Sequence, residues 1–366
     1  MLKSKVFQRY FLPGFLFQSI VIGGGYGTGR ELVEYFLKYG PLGGLFGMIL
    51  STLIWCAVCT VTFELARITH SFDYRTFTRQ LLNRWWFFYE FCYLAMMLLG
   101  LSVIAAAGGS IIERISSVPY NGGVIGIMFC IGFLVFKGSS FIENILSVWS
   151  LILYAVYFIL FGYTLSFFLT ESPPPFLFEI RQGWAISGIK YAAYNLVVIP
   201  ALLFCIRHIR TSKEAFGAGI LAGPIAMIPA FLFLLAMTNY YPRILNETVP
   251  ANYILEMIGS LPFQVIFQIV LVGTLIESGT GVIHAFNERL SSVFIERKSQ
   301  MPLYLRPLIA MGLLTLAYLG AQFGLETLIS KGYGTVTWAV LFCYVLPALS
   351  IGVWKIRNYK KIHFTQ

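Results

Sequence analysis

Apolar residues in this chain gather into long uninterrupted runs rather than alternating along the backbone. Ten runs of bilayer length are legible, near 11–37, 40–65, 86–109, 120–137, 143–168, 189–206, 215–238, 263–288, 304–322 and 334–354. A helix needs about 20 such residues to cross the hydrocarbon core. Lipid offers the backbone no hydrogen bonds, so each run must be a helix or a strand of a closed barrel. The absence of period-two alternation excludes the barrel. The pattern predicts an all-α membrane protein of about ten transmembrane helices, called spans 1 to 10 below.

Composition agrees: 58% of the 366 residues are apolar and only 11% are charged, against roughly 25% charged in a soluble domain. The formal net charge of +10 would suggest nucleic acid in a soluble protein. Here the placement of the charges decides. With the N-terminus inside, 19 of the 26 Lys and Arg residues fall on one side of the ten runs. They include Lys3, Lys5 and Arg9; Arg67, Arg75, Arg79 and Arg84; and Lys355, Arg357, Lys360 and Lys361. Such a bias marks the cytoplasmic face of an inner membrane, with both termini cytoplasmic and an even span count. The basic excess is topology, and the expected partners are the lipid bilayer and a small-molecule substrate, not nucleic acid.

No small-residue cleavage site follows the first apolar stretch, which is expected to remain as span 1. The six cysteines all lie within predicted spans, and Cys56 and Cys59 form a CxxC without His or acidic companions. They read as inert thiols rather than a metal or redox site. The connection 169–188 carries Ser172-Pro173-Pro174-Pro175, a stiff extended piece. It separates a first five-helix unit, 1–168, from a second, 189–366. An odd number of spans per half makes the second half enter the membrane in the opposite sense, the arithmetic of a 5+5 inverted repeat.

Two spans carry breaks. Span 1 contains Gly23, Gly24, Gly25, Tyr26, Gly27, Thr28 and Gly29. Each glycine costs about 1 kcal/mol against alanine in a helix interior, so this segment is expected to unwind. Such backbone survives at membrane depth only against protein or a water-filled cavity. The spacing gives neither G-x-G-x-x-G nor a Walker lysine; close helix packing through small residues is the plainer alternative. Span 6, first of the second half, contains Tyr194, Asn195 and then Pro200. Interruptions at matching positions of two halves point to a substrate site at their crossing. The helix ends so exposed would offer amides to an anionic group and carbonyls to a cation.

Arg30, Glu31 and Glu34 follow the glycines inside span 1 and are candidates for an outer gate, although Arg30 and Glu34 could simply pair at i, i+4. In span 8, Thr274, Glu277 and Ser278 stand at i, i+3, i+4, which puts three oxygen-bearing side chains on one helical face. Oxygen ligands suit Na⁺, and a buried carboxylate can instead carry H⁺. A structural glutamate bonded to a neighbouring helix is the alternative. Trp85 and Trp86 open span 3 as an interfacial belt would. No enzyme motif appears, so no catalytic residue and no cofactor beyond a coupling ion is expected.

Together 23–34 (GGGYGTGRELVE), Ala193-Tyr194-Asn195 and 277–281 (ESGTG) resemble the bacterial YkvI-like membrane proteins. That family looks like a branch of the amino acid–polyamine–cation transporters with the LeuT-type fold. The resemblance implies substrate held between spans 1, 3, 6 and 8, with a sodium site where the span 1 break meets span 8. Carried over by position, Gly23 and Tyr26 would offer carbonyls to that cation, facing Thr274, Glu277 and Ser278. An acid among those hydroxyl ligands departs from the sodium pattern, and span 5 shows no lysine to replace the ion, so Na⁺ and H⁺ both stay open. The expected function is an alternating-access symporter for a small polar solute, an amino acid or related amine. The rivals are an ion channel and a transporter-like receptor that binds without moving its ligand.

Overall fold

The helices begin where capping chemistry puts them in this computed structural model, which describes residues 5–137, 152, 154–163, 165, 175–296, 301–302 and 304–364. Pro41 opens the helix Pro41–Thr69 (span 2), where its missing amide costs nothing. Thr211 and Glu214 form a complete capping box at the head of Ser212–Thr238 (span 7). Asp73 accepts from the Thr76 amide at 2.8 Å and starts the short helix Tyr74–Leu82.

Five helical stretches are long and apolar enough to cross a bilayer: Pro41–Thr69, Tyr74–Ile115, Ser212–Thr238, Leu261–Ser291 and Leu325–Tyr359. Trp184–Leu196 and Ile199–His208 form a sixth crossing, bent by 62°. The shorter apolar helices Tyr120–Phe136, Tyr154–Tyr163 and Leu305–Ala321 stand where spans 4, 5 and 9 are expected. Span 1 is divided into Leu12–Val21, Gly24–Gly27 and Arg30–Tyr35. The fold is thus an all-helical inverted repeat in which each half opens with a broken helix. Much of the expected span 5, 143–168, and the prolines at 173 and 174 lie outside the described residues. Pro175–Phe178 forms a single 3₁₀ turn. Span 10 begins about two turns earlier than its hydropathy suggested, and it includes the π-helical turn Leu328–Tyr333.

Contacts between the connections sort into two ends. Arg9 pairs with Glu214 at 2.6 Å, Arg67 reaches the Arg210 carbonyl, Arg289 pairs with Glu90, and Lys355 reaches the Gln80 carbonyl. All of these segments carry the basic bias. At the other end Arg114 pairs with Glu247 and Glu256 at 3.0 and 2.9 Å, and the Tyr120 hydroxyl donates to the Ala321 carbonyl. There too the Tyr241 hydroxyl and the Arg181 guanidinium bind Glu179 and hold its carboxyl below the usual range. This sorting follows when successive spans cross in alternate directions.

Small residues set the closest helix approaches. A β-carbon on Gly219 would stand 2.4 Å from the Thr60 Cα, and one on Gly223 2.5 Å from the Cys56 sulfur, so spans 2 and 7 pack through glycine. Phe129, Phe133 and Phe136 form an exposed stripe on span 4, as a lipid-facing surface requires. The six cysteines are free; Cys130 is exposed on that span, while Cys59, Cys92 and Cys205 are buried. Arg75 and Arg79 lie over the Trp86 ring and Arg84 over Trp85, which suits an interfacial belt.

Candidate functional site

The glycine segment breaks span 1 twice. After Val21 the chain turns out of the helix at Ile22 and extends at Gly23. One helical turn follows, Gly24–Gly27, and then Gly29 adopts φ 82° before Arg30–Tyr35 resumes. That left-handed conformation is cheap only for glycine. The freed backbone groups find protein partners, as burial demands. The Gly27 carbonyl accepts from the Tyr157 hydroxyl at 3.3 Å, and the Thr28 carbonyl accepts from the Ala251 amide at 3.0 Å. The Thr28 hydroxyl donates to the Gly25 carbonyl at 2.9 Å.

Span 6 breaks at Val197 and Val198, just before Pro200. The Tyr89 hydroxyl of span 3 donates to the Val197 carbonyl. Trp55 of span 2 donates its indole N–H to the Ala192 carbonyl at 3.1 Å. The Asn195 amide is turned back onto its own helix and donates to the Tyr191 carbonyl at 3.0 Å. Tyr194 instead crosses to span 1, where its hydroxyl donates to Glu31 at 2.6 Å.

Of the three charged residues grouped from sequence as a gate, Arg30 and Glu34 stay together and Glu31 departs. Arg30 is buried at the end opposite the basic connections and donates to the carbonyls of Leu245 and Glu247, both at 3.0 Å. It also pairs with Glu326 at 2.9 Å and lies 3.8 Å from Glu34, which itself pairs with Lys38. Arg30 therefore ties span 1 to the 239–262 connection and to the start of span 10. Glu31 faces the other way. It is 3% exposed, and its carboxylate lies against Gly25, where a β-carbon would stand 2.2 Å from Oε1. Among the described residues no Lys, Arg or His pairs with it.

Aromatic rings surround this carboxylate. Tyr35 of span 1, Tyr191 and Tyr194 of span 6 and Tyr333 of span 10 are buried, with ring centroids 4.8–5.7 Å apart in successive pairs. Of these only Tyr194 was singled out from sequence. The i, i+3 spacing of Tyr191 and Tyr194 is the signal that places both on one face of span 6. Nothing local marks Tyr333, which arrives from a distant span.

On span 8, Ser278 directs its hydroxyl to the Ile22 carbonyl at 3.5 Å, so this span does meet the first break of span 1. The carbonyls carried over by resemblance are otherwise engaged: Gly23 accepts from the Gly27 amide and Tyr26 from the Gly29 amide. Thr274 is buried and donates to the Val270 carbonyl at 2.8 Å. Glu277 is half-buried and has no hydrogen bond or ion pair among the described residues. Gly24 and Gly27 pack on Leu275 and Leu271, which brings the glycine turn against span 8.

No protein-family model matches the chain. It is 23% identical over 342 residues to the membrane protein YkvI of Bacillus subtilis, a match covering 87% of this chain and 89% of that one. A solved manganese transporter of Eremococcus coleocola superposes with a TM-score of 0.60 at 15% identity, covering 94% of this chain and 79% of that one. A Na⁺-coupled sialic acid symporter in a substrate-bound outward-open state superposes at 0.53 and 13% identity, covering 94% and 87%. The chain therefore has the LeuT-type fold of these multi-pass membrane transporters, and in sequence it resembles YkvI.

Proposed function

We propose that this protein is a secondary active transporter that carries a small polar solute, an amino acid or related amine, across the cytoplasmic membrane by alternating access. One observation carries the reading: the two broken helices meet at depth, and Glu31 of the first is held by Tyr194 of the second at 2.6 Å. A charged group at a helix centre costs about 2.5–3.5 kcal/mol on insertion scales. A carboxylate kept there against a glycine turn and a ring of tyrosines has a task beyond packing. Substrate would sit at this crossing, bounded by 23–29 and by Tyr194.

Coupling by Na⁺ or H⁺ would run through Glu277, Ser278 and Thr274, beside the Ile22 carbonyl. The Arg30 cluster would close the outer end, and both termini would lie in the cytoplasm. The fold of the transporters named above favours movement of solute over receptor signalling. The test is uptake into proteoliposomes with and without imposed Na⁺ and H⁺ gradients. Gradient-dependent accumulation of an amino acid or amine is expected; binding without accumulation would favour a receptor.

A further inference from the structure

We infer that the crossing of spans 1 and 6 binds a cationic nitrogen, and that Glu31 with Tyr35, Tyr191, Tyr194 and Tyr333 recognises it. This rests on the transporter reading of the same site and narrows its cargo to amines.

Glu31 lies against the glycine turn. On the Gly25 side of the turn, a β-carbon would stand 2.2 Å from the Glu31 Oε1, 2.7 Å from its Cγ and 2.8 Å from its Cδ. A second carboxylate brought there would meet a like charge at close range in a medium of low dielectric, where repulsion is severalfold stronger than in water. A cation there gains the same energy instead.

Among the described residues no cationic side chain pairs with Glu31. Arg30 is committed to Glu326 and to two loop carbonyls. Lys190, adjacent to Tyr191, sits over the Trp338 ring at 5.5 Å. Tyr194 bonds Glu31, and the rings of Tyr35, Tyr191 and Tyr333 lie 4.8–5.5 Å from the Tyr194 ring. Tyrosine rings attract a desolvated cation through the ring quadrupole, and sets of them recognise ammonium groups.

A second observation points to a ligand independently. The Tyr26 and Tyr191 side chains are 0% exposed, yet their hydroxyls have no hydrogen-bond partner among the described residues. An orphaned buried hydroxyl costs about 1–3 kcal/mol, and one on each of the two broken helices that Glu31 and Tyr194 join marks a polar site completed by something bound. A protonated amine supplies the donors that the carboxylate and an orphaned hydroxyl accept.

The test uses the purified full chain and two matched sets of probes: leucine, 3-methylbutylamine and 4-methylpentanoate; phenylalanine, phenethylamine and 3-phenylpropanoate. Within each set the amine lacks the carboxylate and the acid lacks the amine. Thermal stabilisation in detergent should follow the amines, with the acids silent. Glu31→Gln should weaken amine binding at least about tenfold, since it removes one partner of a buried charge pair. Tyr333→Leu, which retains the carboxylate, should weaken it severalfold. Stabilisation by the acids, amine binding unchanged in a well-folded Glu31→Gln protein, or no response to any amine would each overturn the inference. Gradient-driven uptake of an amino acid that survives Glu31→Gln would overturn it while leaving the transporter reading intact. Amine binding without uptake into proteoliposomes would do the reverse.

Discussion

Tyr194 and Glu31 lie 163 residues apart in the chain, yet the Tyr194 hydroxyl donates to the Glu31 carboxylate at 2.6 Å within the protein interior. The bond joins the two interrupted helices where neither can satisfy itself. A hydrogen bond to a charged group contributes about 1.5–3 kcal/mol. Tyr194→Phe, which keeps the ring, should therefore weaken substrate binding by about tenfold or more without unfolding the protein. Titration of uptake rate against substrate concentration checks this, with gel filtration as the control for folding.

The glycines of span 1 are expected to differ sharply from one another. A β-carbon on Gly25 would collide with Glu31, whereas one on Gly23 meets nothing within 4 Å. Gly25→Ala should displace the carboxylate and abolish uptake, and Gly23→Ala should retain most of it. Gly29→Ala places a side chain at φ 82° and within 3.0–3.2 Å of Phe233 and Met237, so it should lower thermal stability as well as transport. Equal tolerance at positions 23 and 25 would contradict the placement of Glu31.

Arg30 holds the carbonyls of Leu245 and Glu247 and the Glu326 carboxylate together, as the proposed outer gate requires. Arg30→Ala should favour a state in which the outer end opens. Asn252, 1% exposed on the helix Pro250–Ile258, reports on this. A cysteine at 252 should react slowly with a maleimide in the parent protein and several times faster when Arg30→Ala is added. An unchanged rate would mean that Arg30 only braces the loop.

The long elements of this fold were legible from hydropathy because a bilayer permits so few solutions. The breaks were legible too, since five glycines in seven residues leave a helix little to gain. What sequence alone misassigned was the direction of neighbouring side chains. Arg30, Glu31 and Glu34 are charged residues at depth in span 1, which suggested one gate for Arg30 and Glu31 alike. Successive helical residues diverge by about 100°, however, so one faces the 239–262 connection and the other the glycine turn. Glu326, Tyr35 and Tyr333 escaped notice for a related reason: their importance comes from partners in other spans, and no local pattern carries that. On span 8, Ser278 was found by spacing, but its partner is the Ile22 carbonyl rather than Gly23 or Tyr26, because those two carbonyls close turns within the break.

Topology offers its own check. The basic bias predicts that Lys355 lies inside, and its contact with the Gln80 carbonyl ties the last span to the short helix Tyr74–Leu82. A cysteine at 355 should resist an impermeant maleimide on intact cells and react after permeabilisation. Labelling on intact cells would invert the orientation.

The most direct test of coupled transport is solute accumulation in proteoliposomes under imposed Na⁺ or H⁺ gradients, for the parent and for Glu277→Gln. Glu277 is half-buried beside the meeting of Ser278 with the Ile22 carbonyl, and among the described residues no other group neutralises it. The substitution keeps the shape and removes the charge and the titration. The parent should accumulate solute only with one of the gradients, and the variant should lose that dependence while still exchanging internal for external solute. Accumulation by the Glu277→Gln protein equal to the parent's would show that the coupling does not run through this residue, and no accumulation by the parent under either gradient would contradict secondary transport itself.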